Sequence, residues 1–246
     1  HYDSLKKVEK SLHINAKDSL NKEWRKILQY NDPRIDIYSR LVSDLSIVSA
    51  DYLIGNIDLA FQSWERCLYK DSIPFNIFLK YVLPYRRNNG YVVEKWRNYF
   101  ISRYEDYMLQ YSSPHELVDS LLEQFNDYQV EWSDISTYPY VCLQDYHLSK
   151  MSRCPARCWF NSMLLSALGV PCTIDFVPAW GNRNSSHEWN AIVVNGKTYP
   201  FEATGGRGKW KAGKVYNNVW VDEYWMKSRL PKVFRYSYET MIQGPS

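Results

Sequence analysis

Asn195-Gly196 sits between two runs of alternating character, HEWNAIVV at 187–194 and KTYPFEA at 197–203. An Asn-Gly pair in that setting is a strong hairpin signal, because both central residues of the matching tight turn need positive φ. A two-residue loop also sets register: Val194 faces Lys197, so Trp189 faces Glu202 and His187 faces Thr204. His187, Trp189, Glu202 and Thr204 then share one face of the ribbon, with Glu202 diagonal to His187 and within hydrogen-bond reach. A carboxylate so placed fixes an imidazole tautomer and stabilises its charged form. Taken singly, His187 reads as an edge-strand surface histidine and Glu202 as a solvated strand end. Together they make a candidate base and its orienting acid.

The rest of the chain divides by periodicity. Segments near 4–13, 17–30, 34–48, 50–69 and 91–110 carry apolar residues at helical spacing with almost no glycine. In 50–69, Leu53, Ile57, Ala60, Phe61 and Trp64 form the clearest apolar stripe. Ser113, Pro114 and Glu116 predict another helix start, with Ser113 as N-cap and Glu116 closing a capping box. Beyond about residue 130, short strand-like runs follow one helix: CTIDFVPAW, HEWNAIVV, KTYPFEA and KVYNNVWVDEYW, with TYPYVC extended before it. This is an α+β pattern, with a helical region over 1–110 and a core over 111–246. The helical half is either a separate domain or a coat on the core. Residues 215–246 are expected to complete the sheet.

The single helix of the second half is SRCPARCWFNSMLLSALGVP, 152–171. Pro155 suits a first helical position, and Gly169 followed by Val170-Pro171 marks the end. Cys154 is thereby expected at the N-cap, where unpaired N–H groups and the positive dipole end favour a thiolate. Cys158 falls one turn inside, among apolar neighbours that oppose ionisation. A zinc clip lacks a second Cys/His pair, and thiols at i, i+4 on one helix are poorly placed for a disulfide. Two structural thiols stay open as a reading. A nucleophile at Cys154 with Cys158 as packing fits best. Five cysteines (67, 142, 154, 158, 172) are too few and odd in number for a disulfide scaffold.

Composition removes other classes. A net charge of +3 is too small to argue for nucleic acid or an anionic membrane, and RGKWKAGK at 207–214 reads as a solvated loop. No segment approaches the ~18 apolar residues of a membrane span, and the first residues are no signal peptide. Lack of an initiator Met fits an excised part of a longer exported protein with further domains. The aromatic content of 16% suits either a large-ringed core or a cleft for peptide or sugar.

Cys-x14-Gly-Val-Pro from Cys154 to Pro171, then HEW and FEAT, resembles the transglutaminase-like superfamily of papain-like thiol enzymes. LGVPCTIDFVPAWGNRNSSHEWNAIVV looks closest to bacterial, often exported, transglutaminase-domain proteins, and NIDLAFQSW and FLKYVLPYRRNNGYVVEKWR resemble the helical region before that core. The resemblance covers most of residues 50–205. It implies a papain/transglutaminase-like core, a nucleophile helix packed on an antiparallel sheet, preceded by a mostly helical region. By position, Cys154 matches the nucleophile, His187 the base and Glu202 the acidic member. Three departures stand out: Ser152-Arg153 where glycine is frequent, Glu202 where Asp is usual, and Glu188 where Ala is frequent. The implied activity is acyl transfer through a thioester, as hydrolase or transferase, on a peptide or protein amide, including cell-surface or glycan-linked ones. Trp180 and Trp189 would wall the cleft and Gln144 would supply an oxyanion donor. No metal or other cofactor is implied. The alternative is a catalytically weak or inactive module of this fold that binds peptide or glycan.

Overall fold

The computed structural model describes residues 43–87, 93–125, 128–130, 143, 146–147, 150–179, 186–201 and 232–238. The chain forms two compact units, His1–Ile47 and Val48–Ser246. In the first, the described part holds a short helix, α1 (Asp44–Ile47). The helical segments expected at 4–13 and 17–30, and most of 34–48, lie outside the described residues.

The second unit runs α2 (Ala50–Arg66), α3 (Phe75–Tyr81), α4 (Trp96–Gln110), α5 (Pro114–Glu123), β1 (Gln129–Val130), β2 (Met151–Ser152), α6 (Cys154–Ala167), β3 (Cys172–Val177), β4 (His187–Val194), β5 (Lys197–Phe201) and β6 (Phe234–Arg235). β1 and β2 pair in parallel, while β5-β4-β3-β6 form a four-stranded antiparallel sheet. This is an α+β arrangement. TYPYVC, KVYNNVWVDEYW and the ends of the outer runs lie outside the described residues.

α6 is the element that the others share. It packs on β3 and β4 and against α2 and α4. Every residue of α6 except Pro155 is buried, as expected of a helix covered on all sides. Phe160, Leu164, Leu165 and Leu168 join Phe100, Leu121 and Leu122 of the helical layer and Ile192 and Phe201 of the sheet in one core. α2 and α4 thus cover α6 within a single unit.

The hairpin has the expected register: Val194 pairs with Lys197 and Asn190 with Phe201, across Asn195 (φ 51°) and Gly196 (φ 71°). Three local expectations need correction. α2 buries Asn56, Ala60 and Ser63, while Ile57 of the predicted stripe is 43% exposed. The cause is close approach: Ser63 lies against the end of α6, where a Cβ on Gly169 would come within 3.2 Å of its carbonyl oxygen. Phe61 and Trp64 pack instead on Phe78 of α3, at ring separations of 4.8 and 4.6 Å. At α5, Ser113 is the N-cap and Pro114 the first residue, but the Ser113 side chain makes no capping bond, so the predicted capping box with Glu116 is not formed. At α6, Arg153 takes the N-cap, and Cys154 is the first helical residue with Pro155 second. Proline tolerates either of the first two positions, whose N–H groups have no helical acceptor.

The far end of α6 closes as the sequence predicts. Gly169 (φ 79°) donates to Ser166 O and Val170 to Leu165 O, the paired bonds of a Schellman motif.

Candidate active site

Cys154 opens α6 without a side-chain cap from Arg153 and with no acidic residue in the first turn. It is 9% exposed, whereas Cys67, Cys158 and Cys172 are 4%, 0% and 0% exposed. All four are free thiols. Burial pushes Cys67 and Cys172 up to about 12, so both stay protonated at neutral pH. Cys142 lies outside the described residues. Among the described residues no group of three His, Cys, Asp or Glu is placed to hold a metal ion. No described helix is long and apolar enough to cross a membrane.

Helix and sheet are joined by paired amides. Asn161 Nδ2 donates to Asn190 Oδ1 at 3.0 Å, and Asn190 Nδ2 donates to Cys158 O at 2.9 Å and Thr173 O at 3.3 Å. At the other end of β4, Val193 N donates to Pro171 O just past α6. α6 and β4 therefore run in the same direction. Cys154 lies four residues, about 6 Å, before Cys158. His187 lies three residues, about 10 Å, before Asn190. Cys154 and His187 thus come to the same end of the layer. They differ in side: Asn190 faces α6, so the pleat turns His187 to the opposite face, which it shares with Trp189. His187 is 5% exposed, its ring lying 6.1 Å from that of Trp189 at 30°.

Glu188 shares the face of Asn190, toward α6. Burial raises its carboxyl above the usual range, and the neighbouring His187 pulls it back down. On the His187 face stands a carboxylate that sequence reasoning passed over. Asp175 pairs across β3–β4 with Trp189 and is diagonal to His187, but Arg235 takes it bidentately at 2.6 and 2.8 Å. That pair fastens β6 to β3. Asn190 was also passed over. An asparagine between Trp189 and the apolar run AIVV was its visible signal. Glu202, Trp180 and Gln144 lie outside the described residues.

No protein-family model matches the chain, and no curated protein matches it. Among solved structures it is similar to the crystal structure of a "Putative Cysteine Protease" from Cytophaga hutchinsonii, at 12% identity and a TM-score of 0.41. The match covers 68% of this chain and 54% of that one, so the chain spans about half the length of that protein.

Proposed function

We propose that the chain catalyses cysteine-dependent acyl transfer on peptide or amide carbonyls, with Cys154 as nucleophile, His187 as base and Glu202 as the acid that orients it. The observation that carries this is the placement of Cys154, the least buried of the described thiols, at the uncapped head of α6. The backbone N–H groups of that first turn point outward and suit a developing oxyanion. The resemblance of the 154–204 motifs to transglutaminase-like enzymes supports the same assignment.

In this reading the Cys154 sulfur attacks the carbonyl carbon and forms a C–S bond. The C–N bond then breaks as His187 delivers a proton to the leaving amine. Water or an acceptor amine resolves the thioester and returns the thiol. Gln144 adds an oxyanion donor, and Trp180 and Trp189 flank the substrate. The role given to Glu202 rests on the sequence expectation that it faces Trp189 across the hairpin, diagonal to His187.

A second reading, a module that binds peptide or glycan without useful catalysis, is favoured by one observation. The continuous β3–β4 register turns His187 to the pleat face opposite α6. Incubation with a peptide-amide library, followed by intact-mass and peptide mapping, separates the two. Catalysis leaves an acyl adduct on Cys154 and product in solution, both lost in Cys154→Ala. Unchanged turnover in that variant removes the enzymatic assignment, and binding without product selects the second reading.

A further inference from the structure

α6 covers only part of its side of the sheet. Ile174 and Asn190 pair across β3 and β4 and are both buried there, Ile174 against Cys158. The next row of that face, two residues on toward the Cys154 end, is Glu188, Phe176 and Phe234, paired across β4, β3 and β6. Strand alternation puts all three on the side of Asn190 and α6. Tyr236, two residues beyond Phe234, joins them and is held by its N–H bond to Ile174 O. Here the cover runs out. Glu188 and Phe176 are half-buried, while Phe234 and Tyr236 are 46% and 39% exposed.

The three rings form one shelf. Phe176 lies 5.6 Å from Phe234 at 26° and 5.0 Å from Tyr236 at 44°. Glu188 closes its β4 side, and its carboxylate accepts no hydrogen bond among the described residues. The cationic group acting on that carboxylate is its chain neighbour His187, turned to the opposite face. The cation of β6 is turned away as well: Arg235 lies on the far face, held by Asp175 at 2.6 and 2.8 Å. Burial, then Glu188 and Cys158, push the Tyr236 hydroxyl above its usual range, so carboxylate, ring and α6 meet in one place. A half-buried carboxylate without a cation on its own face, set beside the electron-rich faces of aromatic rings, is complementary to a positive charge.

We propose that this shelf binds the guanidinium of an arginine in a peptide, stacked on the Phe176 and Phe234 rings with its N–H groups directed to Glu188. A guanidinium suits the site better than an ammonium, because it is planar, weakly hydrated and able to stack while its edge pairs with a carboxylate. The shelf is continuous with the head of α6, and it names a ligand class whether or not Cys154 transfers acyl groups.

The test is calorimetric titration of the full chain, as parent and as Cys154→Ala, with the N-acetyl amides of arginine, lysine and citrulline. Saturable binding of the arginine amide is expected in both proteins, weaker binding of lysine, and at least tenfold weaker binding of the uncharged citrulline. Glu188→Gln, which keeps the side-chain shape, should weaken arginine about tenfold and leave citrulline unchanged. Phe234→Ala should weaken arginine about fivefold, and Phe234→Tyr should restore it. Phe75→Ala, which removes an exposed ring of α3, should have no effect. Absence of saturable arginine binding overturns the proposal even in a chain that turns over amides. So does citrulline or lysine binding as tightly as arginine, or full arginine affinity in Glu188→Gln.

Discussion

The two ends of α6 are built differently. At the C-terminal end nearly every orphan carbonyl is taken by another part of the chain. Ser63 Oγ donates to Ala167 O at 2.7 Å, Arg97 Nη1 to Ser166 O at 2.9 Å, and the Tyr69 hydroxyl to Leu168 O. At the N-terminal end Arg153 makes no capping bond, and the nearest buried cation, Arg157, reaches Tyr146 Oη and Phe125 O only at 3.4 and 3.5 Å. A helix anchored at its tail can hold its head at fixed geometry, as the role proposed for Cys154 requires.

Arg97 is the chief anchor. It is fully buried, and burial, then the neighbouring Arg87, drives its pKa well below the usual arginine value. Its charge is tolerated because Nη1 and Nη2 meet Ser166 O and Val82 O, at the C-terminal ends of α6 and α3, and Nε meets Asn56 Oδ1. Helix C-termini carry partial negative charge and favour a cation. One side chain therefore ties α2, α3, α4 and α6 together.

The contrast between the ends predicts a gradient of effects. Arg97→Met strands several buried carbonyls and should cost about 3 kcal/mol or more in urea unfolding. Gly169→Ala combines a φ of 79° with a Cβ placed 3.2 Å from Ser63 O, and should cost about 2 kcal/mol. Ser63→Ala loses one buried bond, for about 1 kcal/mol. At the opposite end, Arg153→Ala should stay within about 0.5 kcal/mol, because no capping bond is lost. A loss at Arg153 as large as that at Ser63 would erase the contrast.

Acid should act on the helical layer rather than on this anchor. His147 is neutral in the folded protein with a pKa near 4, against 6.5 for an unperturbed histidine. The unfolded chain therefore binds the extra proton first. Stability should fall as pH drops from about 6.5 toward 4, and rise again with pH across the same window. His147→Gln should flatten that part of the profile, measured by urea midpoints at each pH.

Legibility followed the chemistry of each signal. The hairpin was readable because Asn195-Gly196 demands a turn conformation that few other pairs accept. The tail of α6 was readable because Gly169-Val170-Pro171 is a stop signal at backbone level. The buried face of α2 was not, since close helix packing selects Asn56, Ala60 and Ser63, and apolar periodicity is blind to small polar residues. Arg97 was invisible for a related reason: in sequence an arginine reads as surface, and its carbonyl partners carry no side-chain mark. The one-residue shift at Cys154 reflects a proline that fits either of the first two helical positions. Opposite pleat faces for His187 and Asn190 follow from strand alternation, but which face meets α6 depends on tertiary packing.

In the function proposed above, His187 activates Cys154 as a nucleophile. The most direct test is the alkylation rate of each thiol against pH, resolved by mass mapping, in the parent chain and in His187→Ala. Cys154 should react at about pH 6 at least tenfold faster than Cys67, Cys158 and Cys172, and this advantage should disappear without His187. Equal rates, a faster Cys158, or an advantage that survives His187→Ala would contradict it.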